Sequence, residues 1–170
     1  QLAIEDGDSV RETIAELSRD PNVAYAVPNW KARAAAFVPN DPAFGRQWNL
    51  FDLFGINMPE AWELAAARGA PGGRGAVIAV LDSGVAYERY ERFRRAPDLR
   101  ATTFVKGFDF IDHDPHPNDE FGHGTHVAGT IAQATNNGIG TAGIAYGAKI
   151  MPLRVLDSAG VGDSAAIARG

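Results

Sequence analysis

A continuous apolar run over residues 76–81 most constrains the fold of this chain, and Asp82 follows it directly. Such a run is typical of a strand covered on both faces, as the strands of parallel sheets are. Further strand candidates lie at 104–111 and 149–156, with a helical stretch at about 123–134 between them. This alternation predicts an α/β fold with a doubly wound, mostly parallel sheet and helices on both faces.

The composition excludes several classes of protein. The 170 residues are 45% hydrophobic and 22% charged, which is typical of globular domains and not of disordered or collagen-like chains. We expect no membrane partner, because no apolar run approaches the ~20 residues that a spanning helix needs. We expect no nucleic-acid partner, because 16 Lys and Arg against 21 Asp and Glu give a formal charge of −5. The absence of cysteine excludes disulfides and cysteine nucleophiles.

The chain up to residue 38 has a different pattern. Ser9 and Glu12 have the spacing of a capping box and precede apolar residues at helical spacing, which predicts a helix. After a turn, residues 23–27 alternate like a half-buried strand, and residues 31–39 suit an exposed linker. This part is either a small module joined by a cleavable segment to a larger domain, or an N-terminal hairpin of the main domain.

Two residues that could carry chemistry lie at the ends of predicted elements. Asp82 follows a predicted strand, where functional residues of parallel sheets collect. His123 begins a predicted helix between two glycines, and the positive helix end disfavours the imidazolium, so the imidazole is available as a general base. Taken singly, Asp82 also fits a turn residue and His123 a structural histidine.

The segments around both residues resemble the Asp and His signatures of subtilisin-like serine proteases. Residues 80–85 read VLDSGV and residues 123–130 read HGTHVAGT, in the order Asp before His that this family has. Residues 9–30, and especially 20–29, resemble the end of the family's inhibitory propeptide. Further matching segments are 40–42, 47–50, 107–110, 135–140 and 154–157.

The resemblance implies a domain organisation and a setting for the protein. Residues 1–38 would be the C-terminal part of a small α+β propeptide with its processing linker, cut between about Trp30 and Asn40. Residues 39–170 would be the N-terminal part of a subtilisin-like peptidase domain. The parent would be a secreted, extracellular endopeptidase that acts on peptides or proteins, with its own propeptide as intramolecular inhibitor and a signal peptide outside this chain.

The resemblance also assigns roles within a triad. His123 would be the general base, and Asp82 would hold its tautomer and stabilise its charged form. None of the five serines lies in the Gly-Thr-Ser-Met-Ala setting that the family uses, so we expect the nucleophile and the oxyanion Asn beyond the chain end and this chain alone to be inactive. The alternative is an inactive fragment, or a homologue without a nucleophile, that acts as a calcium-binding, inhibitory or decoy module.

Residues near the end of the chain resemble the family's substrate-binding edge. Gly160, Val161 and Gly162 would pair with an extended peptide through the main chain, and Leu156 would line a side-chain pocket. Without the resemblance, a flexible glycine turn before the last helix explains this segment equally well.

Oxygen-bearing side chains suggest calcium, which takes hard oxygen ligands. Asp109, Asp112 and Asp114 fall in a short acidic run that resembles a calcium loop of the family, although an exposed acidic loop is the alternative. The resemblance implies a second site, made by Asp41, Asp98, Asn137, Ile139 and Thr141.

The chain departs from the family over residues 86–96, which form an arginine-rich insert. We expect this insert to be a solvated helix or loop. It would affect the second calcium site or substrate entry.

A zinc hydrolase is the rival enzyme class, with ligands drawn from His113, His116, His123 and His126. Its weakness is the three-residue step between the last two histidines, which does not match the His-Glu-x-x-His arrangement.

Overall fold

The computed structural model describes residues 9–28, 37–51 and 55–170. Contacts divide the chain into two compact units, Gln1–Ala35 and Ala36–Gly170. Within the described part of the chain, no helix combines the length and the apolar character needed to cross a membrane.

The first unit contains helix α1 (Val10–Leu17), which confirms the helix predicted there. The Ser9 hydroxyl accepts a hydrogen bond from the backbone N–H of Glu12 at 3.4 Å, so the predicted cap is present. The strand predicted over 23–27 is wrong, because this segment has no strand partner among the described residues of the unit. Most of the predicted linker and of its cleavage region lies outside the described residues.

The second unit is built on a parallel sheet of four strands, which confirms the predicted α/β class. The strands are β1 (Val77–Asp82), β2 (Thr103–Phe104), β3 (Phe108–Asp109) and β4 (Lys149–Arg154). Strand β4 pairs with β1 on one side and with β2 and β3 on the other. The register places Arg154 opposite both Asp82 and Asp109, so three charged residues meet at the carboxyl edge of the sheet.

The single strand predicted over 104–111 is divided into β2 and β3. Gly107 lies between them, and a Cβ atom at this position would be only 1.9 Å from the carbonyl oxygen of Pro152. Pro152 lies in the central strand and has no backbone N–H to offer a neighbour. The chain therefore passes close to β4 at Gly107 without forming a regular ladder there.

Helices α2 (Met58–Ala67), α3 (His123–Ala132) and α4 (Ser164–Arg169) complete the second unit. They agree with the helices predicted after Pro59, after Gly122 and behind Asp163. The insert over 86–96 is a loop without helix. A separate aromatic cluster holds α2, because Trp62 is buried and its indole N–H donates to the carbonyl oxygen of Ile144 at 2.8 Å.

Helix α3 packs against β1 and β4 through small residues. Ala128 and Ala132 are fully buried and belong to the same core cluster as Val80 and Ile150. The opposite face of β1 is more open, since Val77 is 51% exposed. Helix α3 covers one face of β1, and the side chains of the strand alternate between the two faces. The end of α4 approaches the other face, since a Cβ atom at Gly170 would be 3.2 Å from Cδ2 of Leu81.

The start of α3 lies unusually close to the end of β1. A Cβ atom at Gly124 would be 2.1 Å from the carbonyl oxygen of Gly84 and 3.1 Å from the Cβ atom of Asp82. Only glycine can occupy this position without moving backbone. The glycine that follows His123 therefore sets the distance between helix and strand.

The first prediction concerns this contact. Gly124→Ala should destabilise the protein by about 1–3 kcal/mol, because the new methyl group must push α3 away from β1. Thermal and urea unfolding measure the change. Gly45→Ala is the matched control, because a Cβ at Gly45 meets no atom within 4 Å. Equal unfolding midpoints for the two variants would contradict the close contact.

Candidate active site

Asp82 is the last residue of β1, and its carboxylate faces the start of α3. The residue is buried, and its Oδ1 atom accepts a hydrogen bond from the backbone N–H of Ser83 at 2.7 Å. The chain then turns away at Gly84. A buried carboxylate at a rigid strand end is held in one orientation, as an acid–base site requires.

His123 is the first residue of α3, and its ring reaches Asp82. Its Nδ1 atom lies 2.8 Å from Oδ2 and 2.9 Å from Oδ1 of Asp82. The carboxylate side chain is 11% exposed, whereas the imidazole is 58% exposed. Because the carboxylate oxygens accept a hydrogen bond from Nδ1–H, the proton of the neutral ring is on Nδ1 and the lone pair is on Nε2. The pair can therefore accept a proton from a group that approaches Nε2.

The residues predicted to bind substrate follow β4 in a tight loop. The backbone N–H of Leu156 donates to the carbonyl oxygen of Asp82 at 3.1 Å, which places Leu156 beside the Asp–His pair. Asp157 closes the loop, since its N–H donates to the carbonyl oxygen of Val161 at 2.8 Å and its carboxylate accepts the Val161 N–H at 2.9 Å. The carboxylate of Asp157 also accepts the N–H of Ala159 at 2.8 Å. The hydrogen bonds from the N–H groups of Val161 and Ala159 lower the pKa of Asp157. Gly160 and Gly162 lie on the same loop, outside any strand.

The first predicted calcium set is organised around a cation of the chain itself. Nη1 of the buried Arg154 donates to Oδ2 of Asp109 at 2.8 Å and to Oδ2 of Asp112 at 2.6 Å. Burial works to lower the pKa of Arg154, but its hydrogen bonds to these two carboxylates raise it above its ordinary value. Asp114 caps the adjacent turn by accepting the N–H of His116 at 2.7 Å.

A polar cavity of about 190 Å³ adjoins this set, and all three aspartates line it. Asn118 lines the same cavity and is buried, and its Oδ1 atom has no hydrogen-bond partner among the described residues. A buried oxygen without a partner costs folding free energy unless it accepts a hydrogen bond or coordinates a cation. No group of three or more His, Asp and Glu side chains that could hold a metal occurs within 9–28, 37–51 and 55–170, so a cation here would also need amide or carbonyl oxygens. The part of the chain that the structure describes also contains no zinc arrangement of the four histidines.

The second predicted calcium set is brought together although its members are far apart in sequence. The carboxylate of Asp41 is buried and accepts the N–H groups of Asn136 and Asn137 at 2.7 and 3.0 Å. Oδ1 of Asp98 accepts a hydrogen bond from the side-chain amide of Asn137 at 2.9 Å. Thr141 donates its N–H to the other oxygen of Asp98 at 3.4 Å, and Ile139 lies in the loop between.

The insert packs against the acidic loop. Glu88 accepts hydrogen bonds from the side-chain amide of Asn118 at 2.8 Å and lies 2.9 Å from Nδ1 of His116. The ring of Tyr90 stacks on His116 with 3.7 Å between centroids, and Arg92 pairs with Glu120. Burial works to raise the pKa of Glu88, but these hydrogen bonds lower it.

Sequence reasoning missed Asp119 and Ser83 as neighbours of the Asp–His pair. In the sequence, Ser83 is only the residue that follows Asp82, and Asp119 is only one of several acidic residues before His123. The structure joins them, since the Ser83 hydroxyl donates to Oδ1 of Asp119 at 2.9 Å. One signal was available in the sequence: the helix begins after Gly122, which has no side chain to cap it, so an acceptor had to come from elsewhere.

Comparison with known proteins places this geometry in a family. The model of the subtilase family matches residues 73–170, which is more than half of the chain. Thermitase of Thermoactinomyces vulgaris is 42% identical over 79% of this chain and 42% of its own length. An extracellular basic protease of Dichelobacter nodosus is 35% identical over 91% of this chain and 28% of its own length.

A solved structure agrees with the sequence relatives. A protease of Pseudoalteromonas arctica superposes with a TM-score of 0.63 and 37% identity, over 78% of this chain and 42% of that one. The chain spans less than half the length of each of these three proteins. With its parallel sheet, its Asp–His pair and these relatives, the chain belongs to the subtilase family of subtilisin-like serine proteases.

Proposed function

We propose that the protein containing this chain is an extracellular serine endopeptidase in which His123 is the general base and Asp82 its partner. One observation carries the proposal: Nδ1 of the exposed His123 lies 2.8 Å from Oδ2 of the buried Asp82. Two of the relatives are named as extracellular proteases, and a third as a thermophilic serine proteinase, which supports the same setting and chemistry.

The chemistry follows from the tautomer that this contact selects. Nε2 of His123 accepts the proton of a serine hydroxyl as the serine oxygen bonds to the carbonyl carbon of the substrate. The imidazolium then returns the proton to the amine that leaves when the peptide bond breaks. Asp82 does not take the proton; its negative charge stabilises the imidazolium and keeps Nδ1 as the donor.

The nucleophile comes from outside these 170 residues. Ser83 is fully buried and its hydroxyl donates to Asp119, so it is not free to attack a substrate. Among the described residues, no serine hydroxyl is hydrogen bonded to His123. This chain alone is therefore inactive in our proposal, and it supplies the acid–base half of the active site.

Peptide substrates would bind along the loop after β4. Leu156 is anchored beside Asp82 through its backbone N–H, so a pocket that it lines adjoins the reacting groups. Gly160, Val161 and Gly162 would offer main-chain groups to an extended peptide. Val161 is mostly exposed, which leaves this edge accessible to a substrate.

The N-terminal unit would be the end of an inhibitory propeptide. We assign residues 1–38 to the propeptide with its processing linker and residues 39–170 to the peptidase domain. The division of contacts between Ala35 and Ala36 supports a boundary near this linker. The propeptide would act as an intramolecular inhibitor until it is cleaved.

Calcium would stabilise the peptidase domain at two places. The set of Asp41, Asp98, Asn137, Ile139 and Thr141 fits a hard cation, because the fold gathers two carboxylates and an oxygen-rich loop that are distant in sequence. Arg154 already pairs with Asp109 and Asp112, so calcium at the set of Asp109, Asp112 and Asp114 would need the orphaned buried oxygen of Asn118 as a further ligand. When bound, calcium would supply positive charge that cross-links these loops.

The second prediction tests the acid–base pair in the intact protein. His123→Ala and Asp82→Asn should each lower kcat on a peptide anilide by about 10⁴-fold or more, as expected when a triad member is lost. His113→Asn is the matched control, since His113 is exposed and Asn tolerates its φ of 61°. Retention of wild-type turnover by His123→Ala would refute the proposed function.

The third prediction concerns calcium. If the Asp41–Asp98 set binds it, calcium at a hundredfold excess over Kd should raise Tm by about 5 °C or more. Calorimetric titration and thermal unfolding with calcium or with chelator measure binding and stabilisation. Asp98→Asn should reduce both, whereas Asp163→Asn, which changes a helix-capping carboxylate elsewhere, should leave both in place. A chelator-insensitive Tm with no heat of binding would count against the site.

The fourth prediction concerns processing. N-terminal sequencing of the mature protein should give a start between about Trp30 and Asn40, because cleavage there separates the proposed propeptide from the peptidase domain. A mature N-terminus well inside residues 55–170 would be incompatible with this domain assignment.

A further inference from the structure

The carboxylate of Asp119 lies in the turn before α3 and is the centre of a hydrogen-bond network. Its Oδ1 atom accepts hydrogen bonds from the Ser83 hydroxyl at 2.9 Å and from the N–H groups of Phe121 and Gly122 at 3.0 and 2.7 Å. Its Oδ2 atom accepts from the N–H of Thr125 at 2.9 Å and from its hydroxyl at 2.5 Å. Five donors thus converge on one side chain.

Ser83 extends this network to the other member of the reacting pair. Its hydroxyl accepts a hydrogen bond from the N–H of Gly124 at 3.0 Å while it donates to Asp119. Its own N–H donates to Oδ1 of Asp82 at 2.7 Å. The N–H groups of the residues before and after His123 are therefore anchored, that of Gly122 to Asp119 and that of Gly124 to Ser83.

Asp119 also replaces the missing cap of α3. Gly122 occupies the N-cap position with φ of 102° and has no side chain to offer. The N–H of Thr125, which a capping side chain normally satisfies, is bonded by Asp119 instead. A carboxylate also stabilises the positive end of a helix.

The carboxylate remains charged in this environment. Burial works to raise the pKa of Asp119, but the hydrogen bonds from Thr125, Gly122 and Phe121 outweigh it and lower the pKa below its ordinary value. A charged acceptor makes stronger hydrogen bonds than a neutral one, so the network holds the start of α3 firmly.

We propose that Asp119 is a positioning residue for the acid–base pair: acting through Ser83 and the first turn of α3, it holds Nδ1 of His123 at hydrogen-bond distance from Asp82. This inference rests on the proposed function. Asp119 itself makes no hydrogen bond to either ring nitrogen among the described contacts, so its effect on turnover is exerted through geometry. A displacement of about 1 Å in a reacting group can cost on the order of 100-fold in rate.

The test uses Asp119→Asn in the intact protein. The amide keeps the size of the carboxylate but loses one acceptor oxygen and its charge, so the donors of Ser83, Gly122 and Thr125 can no longer all be satisfied. We expect kcat per folded active site to fall by about 10- to 100-fold with KM within about twofold. We also expect the low-field NMR signal of the His123 Nδ1 proton to weaken.

Two further variants make the test decisive. Asp163→Asn changes another capping carboxylate, which accepts the N–H of Ala166 at 2.6 Å, and should leave kcat and the proton signal unchanged. Ser83→Ala removes a single hydroxyl from the network and should also lower kcat. This variant tests the inference even if Asp119→Asn does not fold.

The outcomes separate this inference from the proposed function. If His123→Ala is inactive while Asp119→Asn and Ser83→Ala retain full kcat and the Nδ1 proton signal, the positioning role is wrong and the proposed function stands. If Asp119→Asn lowers only Tm and leaves kcat per folded site unchanged, its role is structural and the inference is overturned. If His123→Ala remains active, the proposed function fails, and the inference fails with it.

Discussion

The close approach of α3 to the end of β1 is the constraint on which the rest of the site depends. At Gly124 the helix backbone comes so near to Gly84 that no side chain fits between them. The buried alanines of α3 pack against the sheet, and the first residue of the helix faces the last residue of β1. Asp82 and His123 meet as a result of backbone packing, and the network of Asp119 holds them there.

The register of the sheet gives neighbouring carboxylates different environments. Asp82 and Asp109 both lie opposite Arg154 in the pairing of β1 and β3 with β4. Arg154 directs its guanidinium toward Asp109, Asp112 and Glu120, and so compensates the negative charge on that side of the sheet. Asp82 pairs with His123 instead. Leaving a buried carboxylate without a partner costs free energy, so Asp109 depends on Arg154 and Asp82 on the hydrogen bond from His123.

Much of this arrangement could be predicted from the sequence, and the errors have physical causes. The apolar run before Asp82, the capping pattern at Ser9 and the glycines around His123 are local signals, and β1, α1 and α3 formed as predicted. The strand predicted over 23–27 failed because alternation alone provides no partner for the backbone. The strand over 104–111 was divided at Gly107, where β4 comes too close, and that contact is visible only in three dimensions.

The sequence by itself determined the α/β class, the order of the elements and the family, because apolar periodicity and two short motifs depend only on neighbouring residues. The tertiary structure decided which polar groups share a site. It joined Ser83 to Asp119, gathered Asp41 and Asp98 around one loop, and placed Arg154 among the carboxylates of the acidic loop. These contacts link residues far apart in the chain, and hydrogen bonds and ion pairs depend on distance and orientation in space, which local sequence patterns do not encode.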